Sequence, residues 1–291
     1  MKAEPLRLRY SAPFDWQTLL RFFASRATPG VEAVAADSYW RTLRVGGKLS
    51  VIEVRPGSGD GYLAVTSTAA RVGIDDATAR IVAEVFDLET PIGEISATLN
   101  KDYDLRKMLR VNPGVRVPGA WSGFELTIRA ILGQQISVKA ATTIAGRIAR
   151  RYGEPFPPGR HAGLDRLFPT PGRLARARFK NIGIVRSRAA TIRAVAKATL
   201  SGELRFDTHT VDFTRTLGSI RGIGDWTAQY VAMRVLKDAD AFPASDLGLI
   251  SAIAYPARMT PAELRARAEQ WRPWRAYAAM LLWGSLPDKG G

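Results

Sequence analysis

The four residues Arg221-Gly222-Ile223-Gly224 constrain this chain more than any other stretch. They separate two segments with helical patterning, and the second opens at once with Asp225-Trp226-Thr227-Ala228. Glycine reaches backbone angles closed to other residues, so a pair of them permits a tight reversal. An acidic residue in the following first turn is a usual helix start. A helix N-terminus has unpaired N–H groups and a partial positive charge, so such a turn presents donors suited to a phosphate oxygen. The same pattern also serves as an ordinary connector, and a short motif alone does not separate the two.

The residues that follow narrow the choice. Lys237-Asp-Ala-Asp-Ala-Phe-Pro-Ala-Ser-Asp246 leads into the apolar run Leu247–Ile253, so one acid stands at the mouth of a new helix beyond a proline-bearing loop. On pattern Asp246 reads first as an N-cap accepting backbone N–H bonds; a fixed negative charge is compatible with that reading. Asp238 and Asp240, ahead of the proline, read as solvated.

Composition bounds the partner. Lys and Arg number 42 against 27 Asp and Glu, a formal charge of +15, and the pI is near 10.5. Such a surplus points to a polyanion, nucleic acid before anionic membrane, although it also serves solubility. The absence of cysteine from the sequence excludes disulfides, a cysteine-held iron–sulfur cluster and a thiol nucleophile. Only His161 and His209 are present, which makes a zinc site a poor expectation. Met1 to Arg9 is polar and charged and no apolar run reaches membrane-spanning length, so the expectation is a cytoplasmic protein.

Along the chain, Pro13 to Ala27 has helical spacing through Trp16, Leu19, Leu20 and Phe23. Tyr39 to Val54 alternates around Gly46-Gly47, a hairpin signal. Tyr62 to Ser67 reads as a strand and Asp75 to Phe86 as a helix. From Gly93 onward strand signals vanish: Glu94 to Leu99, Leu105 to Leu109, Phe124 to Tyr152 with a break near Gly133, and Arg186 to Ser201 all read as helices. Gly153 to Gly163 reads as a surface loop. The chain is therefore expected to be mostly α with an N-terminal α+β unit. Its middle is crowded with Arg147, Arg150, Arg151, Arg173, Arg176, Arg178, Lys180, Arg186, Arg188, Arg193 and Lys197, in no single helical stripe.

The turn, its spacing to Asp246 and the segment Phe124-Glu-Leu-Thr-Ile-Arg-Ala-Ile-Leu-Gly-Gln-Gln-Ile-Ser-Val138 resemble the helix-hairpin-helix–Gly/Pro–Asp superfamily of DNA glycosylases. Within it the chain is most similar to the bacterial 3-methyladenine DNA glycosylase II family, and the likeness extends to Pro13-Phe-Asp-Trp16, Asp37-Ser-Tyr39 and Glu269-Gln-Trp-Arg-Pro-Trp-Arg275. The resemblance implies an antiparallel-sheet domain over residues 1–92. It further implies a helical domain from 93–122 and 239–291 that carries the catalytic acid, and another over 123–238 that ends in the hairpin. It implies a monomer acting on double-stranded DNA with damaged bases at the nucleoid, without a required cofactor.

Residue by residue, the resemblance makes Asp246 the catalytic acid. Phe22, Trp226, Tyr230, Leu247 and Trp283 become base-pocket residues, while Trp271 and Trp274 become structural. It places the amides of Gly222, Gly224 and Thr227 on phosphates. A monovalent cation (Na or K) would sit on the backbone carbonyls of Gly218, Ile220 and Ile223. The lysine of strand-cleaving relatives is replaced by Trp226, and an indole cannot form a Schiff base, so base removal without lyase activity is implied. Trp226 and Tyr230 are four residues apart and share a helix face, although aromatic stripes are also common in cores.

There are two departures from the family pattern. The wedge that fills the gap left by an extruded base is apolar in the family, and Gln135 stands there instead. Leu247 and Gly248 are smaller than the family's pocket residues, which suggests a roomier pocket. Alkylated purines are the expected substrates; oxidised, deaminated or mismatched bases, and a non-catalytic DNA-binding role, remain as alternatives.

Overall fold

Gly46 and Gly47 both take left-handed backbone angles, φ 53° and 77°, and turn strand β3 (Ser38–Val45) into β4 (Lys48–Pro56). The register pairs Val45 with Lys48 and Tyr39 with Val54, the two-residue hairpin expected of a Gly-Gly pair. Strand β5 (Tyr62–Ser67) adds antiparallel to β4. Two further strands were not anticipated: β1 (Leu6–Arg9) against β5, and β2 (Glu32–Ala35) against β3. The first, Leu-Arg-Leu-Arg, alternates in sequence and in burial but is only four residues long, and the second, Glu-Ala-Val-Ala, has no strict alternation. The five-stranded sheet has the order β1-β5-β4-β3-β2. These features come from a computed structural model that describes residues 4–59, 61–68, 74–157, 163–253 and 259–286.

Helices α1 (Trp16–Arg26) and α2 (Asp76–Phe86) are capped by Asp15 and Asp75, whose side chains accept from the amides of Thr18 and Thr78. Their apolar faces pack on the sheet through Trp16, Leu20, Phe23 and Phe86 against Tyr39, Val54 and Leu63. Two of the sequence motifs meet here: Trp16 Nε1 donates to Asp37 Oδ1 at 2.8 Å.

The remainder is helical: α3 (Ile92–Leu99), α4 (Tyr103–Val111), α5 (Gly123–Gly133), α6 (Val138–Tyr152), α7 (Pro171–Ala175), α8 (Arg186–Ser201), α9 (Thr210–Ser219), α10 (Asp225–Val235), α11 (Leu247–Ile253), α12 (Pro261–Ala268) and α13 (Arg275–Ser285). The break near Gly133 is the short loop that joins α5 to α6. A second buried cluster runs through Leu105, Ile128, Ile148, Ile192, Phe213, Val231, Trp271 and Leu282. Residues after Gly153 are less free than a surface loop implies. Pro155 bridges to Arg166 and the Phe156 amide donates to Asp165 O at 2.8 Å. Residues 158–162, including His161, lie outside the described residues. Among the described residues no helix is long and apolar enough to cross a membrane.

Two polar fastenings join sheet to helices. Glu32 on β2 and Arg41 on β3 form a buried ion network with Glu125 and Arg129 of α5. Burial alone would raise the Glu32 carboxyl, but Arg129 and Arg41, helped by the Tyr39 hydroxyl, hold it down at about 2. Asp87, which ends α2 with φ 55°, accepts from Lys237 Nζ at 2.8 Å, Tyr277 Oη at 3.0 Å and the Val117 amide at 2.9 Å. Lys237 follows α10, so the far end of that helix is tied to the sheet domain.

Candidate active site

The turn between α9 and α10 needs glycine at one position only. Gly222 has φ +94°, and a Cβ there would fall 2.2 Å from Thr191 Oγ1. Gly224 has an ordinary φ of −101° as the N-cap of α10, with open space around it. The expectation that both glycines serve backbone geometry is thus corrected. What Gly224 provides is a bare helix start: no side chain caps α10, which leaves its first amides open. Thr227 points the other way, 1% exposed, its Oγ1 accepting from Gln134 Nε2 at 2.9 Å.

Gln134 was not singled out from the sequence, yet it couples two loops. Its Nε2 also donates to Gly222 O at 3.1 Å, and its own carbonyl accepts from Arg188 Nη2 at 2.6 Å. Its neighbour Gln135 is exposed and holds a left-handed φ of 58°. That conformation costs a non-glycine residue about 1 kcal/mol or more and turns the side chain out at the loop tip. The carbonyls of Gly218, Ile220 and Ile223 lie on the adjoining turn, where Ile220 O already accepts the Ile223 amide at 3.0 Å. A carbonyl has two lone pairs, and these three are neutral oxygen donors. Among the described residues no group of three or more His, Asp or Glu is arranged to hold a metal ion.

Asp246 sits at the start of α11, partly open to solvent. Its Oδ1 accepts from the Leu249 amide at 3.0 Å and from Trp283 Nε1 at 2.9 Å; its Oδ2 accepts from Trp226 Nε1 at 2.8 Å. Cap and charge are therefore one arrangement, and the two indoles were not foreseen as its donors. The room expected from Gly248 is filled. A Cβ there would lie 2.9 Å from Asp246 Oδ1 and 3.3 Å from Trp283 Cδ1, so the missing side chain admits the carboxylate and does not widen a pocket. Leu247 is 79% exposed at the outer face of α11, and the fold does not bring it to the aromatic cluster.

Trp226 stacks on Tyr230, centroids 5.3 Å apart at 5°, and Tyr230 meets Trp283 edge-on at 6.1 Å. The Tyr230 hydroxyl accepts from Arg234 Nη1 at 2.7 Å. Burial would raise the Tyr230 phenol, but Arg234 and Arg26 outweigh it and lower it. Arg234 lies 5.5 Å over Tyr230 and 5.0 Å over Phe22, while Arg26 lies 4.0 Å over Phe22. Phe22 thus faces Tyr230 across two guanidinium groups. Phe22, Arg26 and Arg234 also line a narrow cleft toward Trp121 and Glu125. That cleft does not contain Asp246, and the donor geometry at Asp246 defines the chemical centre better than cleft depth does.

Trp271 is buried, its Nε1 donating to Asp102 Oδ2 at 3.0 Å. Asp240 is not merely solvated: it takes ion pairs from Arg272 and, at 2.7 Å, from Arg275. These two arginines stand in the Glu269–Arg275 motif, too distant in sequence for the partnership to be visible there. Asp238 accepts the Asp240 amide at 2.9 Å.

A partly exposed carboxylate aimed by two indoles, beside stacked aromatics and an uncapped helix start, can stabilise a positive charge next to a bound ring. Comparison with known proteins gives the family. Residues 5–122 match the AlkA N-terminal domain and residues 128–275 the HhH-GPD superfamily base excision DNA repair protein model. A Mycobacterium tuberculosis protein described as a probable bifunctional transcriptional activator/DNA repair enzyme AlkA is 36% identical over 97% of this chain. The match spans only 57% of that protein. Escherichia coli DNA-3-methyladenine glycosylase 2 is 35% identical, covering 97% of this chain and 99% of its own. Among solved structures, a 3-methyladenine DNA-glycosylase from Archaeoglobus fulgidus superposes with a TM-score of 0.82 at 24% identity, covering 96% of this chain and 97% of its own.

Proposed function

The chain belongs to the HhH-GPD superfamily of base excision DNA repair proteins, and from that premise we propose that it is a DNA glycosylase removing alkylated purines of the 3-methyladenine type from duplex DNA. One arrangement carries the reading: Asp246, aimed by Trp226 and Trp283, stands at the mouth of an aromatic slot beside the hairpin. The work falls to three parts. Residues 1–92 bring Phe22, residues 123–238 bring the hairpin, and 93–122 with 239–291 bring Asp246.

Phosphates are taken by the open amides around Gly222, Gly224 and the first turn of α10. A base inside a duplex is out of reach, so the nucleotide rotates out and Gln135 enters the gap. The base stacks among Trp226, Tyr230 and Trp283 with Phe22 opposite, and an N-alkylated, cationic purine gains extra attraction from these rings. The C1′–N bond then breaks. Its electron pair leaves with the base and neutralises that base's positive charge, while the sugar becomes oxocarbenium-like. Asp246 stabilises this developing cation. Water adds at C1′ and gives up a proton, and the products are free base and an abasic site.

No amine takes part. Trp226 occupies the place where a Schiff-base lysine would be needed, so strands stay intact until alkali is applied. The carbonyls of Gly218, Ile220 and Ile223 suit a monovalent cation, being neutral oxygens at a helix end, and such an ion would add positive charge on the phosphate side of the turn. The test is to incubate methylated duplex DNA with wild type and Asp246→Asn and identify the released bases. Base release is expected to fall by roughly 100- to 1,000-fold in the variant. A folded Asp246→Asn protein that releases bases at the wild-type rate refutes the assignment.

A further inference from the structure

We propose that a groove at the far end of α6 binds the phosphate backbone of a second duplex segment, separate from the one held at the hairpin. Between Lys139 and Gly202 the chain has fourteen Lys and Arg against two acids, Glu154 and Asp165. Both acids are engaged, Glu154 by Arg44 at 2.6 Å and Asp165 by Arg166 at 3.8 Å. Arg151 from the end of α6, Arg173 from α7, and Arg176 and Arg178 just beyond it line the groove, with Tyr152 and Ala177 between them. All four arginines are exposed, and none has an acidic partner among the described residues.

The walls are held in place. Tyr152 Oη accepts the Phe179 amide at 2.9 Å and its ring meets Phe179 edge-on at 5.4 Å. Arg151 Nη1 donates to Lys180 O at 3.1 Å. Four arginines from two chain segments therefore line one concavity of about 750 Å³, counting its open mouth. Such convergence is repulsive without an anion, and the planar fork of arginine matches phosphate oxygens.

Position separates this groove from the first DNA site. The α5–α6 loop is tied to the hairpin by Gln134, and both helices run away from that loop. With 15 residues in α6, the groove lies about 20 Å behind it.

The test uses the full chain and a lesion-bearing duplex of about 12 base pairs, too short to serve both sites. Labelled complex is chased with rising concentrations of unlabelled undamaged duplex. The wild-type dissociation rate is expected to climb with competitor, as direct transfer through a ternary complex requires. In the triple variant Arg173→Gln, Arg176→Gln, Arg178→Gln that dependence should fall by roughly tenfold or more, given three lost phosphate contacts. Single-turnover base release should stay within about twofold of wild type, and the matching triple Lys variant should retain the dependence. A competitor-independent wild type overturns the proposal, as does a folded Gln variant that keeps the dependence. Parallel loss of hairpin-side binding and base release in the variant also overturns it, because the groove would then touch the first duplex. Capture of anionic phospholipid vesicles without transfer would assign the surface to a membrane and end the proposal. If neither protein releases any base while transfer persists, the glycosylase reading fails and the second site stands.

Discussion

Trp226 Nε1 donates to Asp246 Oδ2 across 2.8 Å, so a residue that walls the aromatic slot also aims the carboxylate. Trp226→Phe keeps a ring against Tyr230 and removes the donor. A hydrogen bond to a charged group is worth about 1.5–3 kcal/mol, so base release should slow by roughly 10- to 100-fold with affinity for undamaged duplex preserved. Single-turnover release measured beside equilibrium binding checks this; wild-type release by the Phe variant would remove the aiming role.

The hairpin glycines should separate by readout. Gly222→Ala forces a Cβ to 2.2 Å from Thr191 Oγ1 at φ +94°, and should destabilise the fold by about 1–3 kcal/mol, a drop of several degrees in Tm. Gly224→Ala has open space and φ −101°, so Tm should hold while DNA binding weakens through crowding at the helix start. Calorimetry and a DNA titration on both variants decide it, and equal losses of Tm would contradict the assignment.

Arg26 covers Phe22 at 4.0 Å, on the ring proposed to face a flipped base. Arg26→Met removes this occupant and keeps the aliphatic stem. Excision of cationic and neutral purines should rise together, by roughly 3- to 30-fold from the strength of a cation–π contact, since every base displaces the same group. Parallel rates on 7-methylguanine and hypoxanthine duplexes test it; slower release of both would make Arg26 a base ligand.

Acid should weaken the join between sheet and α5. The Glu32 carboxyl, held at about 2 in the fold, lies below its value in an unfolded chain, near 4.3. Its stabilising effect is therefore complete above about pH 4.5 and is lost as pH falls toward 2. Glu32→Gln should flatten that part of the stability–pH curve. At neutral pH it should also cost about 3–5 kcal/mol by leaving Arg41 and Arg129 short of an anion. Urea unfolding of both proteins between pH 3 and 7 would show parallel curves if the idea is wrong.

Local rules made much of this fold legible. The spacing of Trp16, Leu19, Leu20 and Phe23 announced the first helix, Gly46-Gly47 its hairpin, and the run to Ser201 its helix. Asp246 stood out through its spacing from the hairpin, which the family resemblance carries; on local pattern alone it reads as an N-cap. What sequence could not display are partnerships across long separations. Asp246 finds Trp226 and Trp283 20 and 37 residues away, Gln134 finds Thr227 at 93, and Asp240 finds Arg275 at 35. Gly248 misled for the same reason: a small residue reads as space until the carboxylate that fills it is seen.

Helix α10 has a foot as well as a head. Its head is the bare amide end at Gly224. At its foot Arg234 grips the carbonyls of Pro118 and Gly119 at 2.7 and 2.9 Å, and Lys237 grips Asp87. The strut that presents Trp226 and Tyr230 is thus planted in the segment just before α5 and, through Asp87, in the sheet domain. Trimming the protein to its repair module would keep the acid but leave the strut unfooted, with Phe22 and Arg26 gone from across the slot. On the proposed reading the sheet domain, which contributes no acid to the reaction, would through α1 have a say in which bases are admitted.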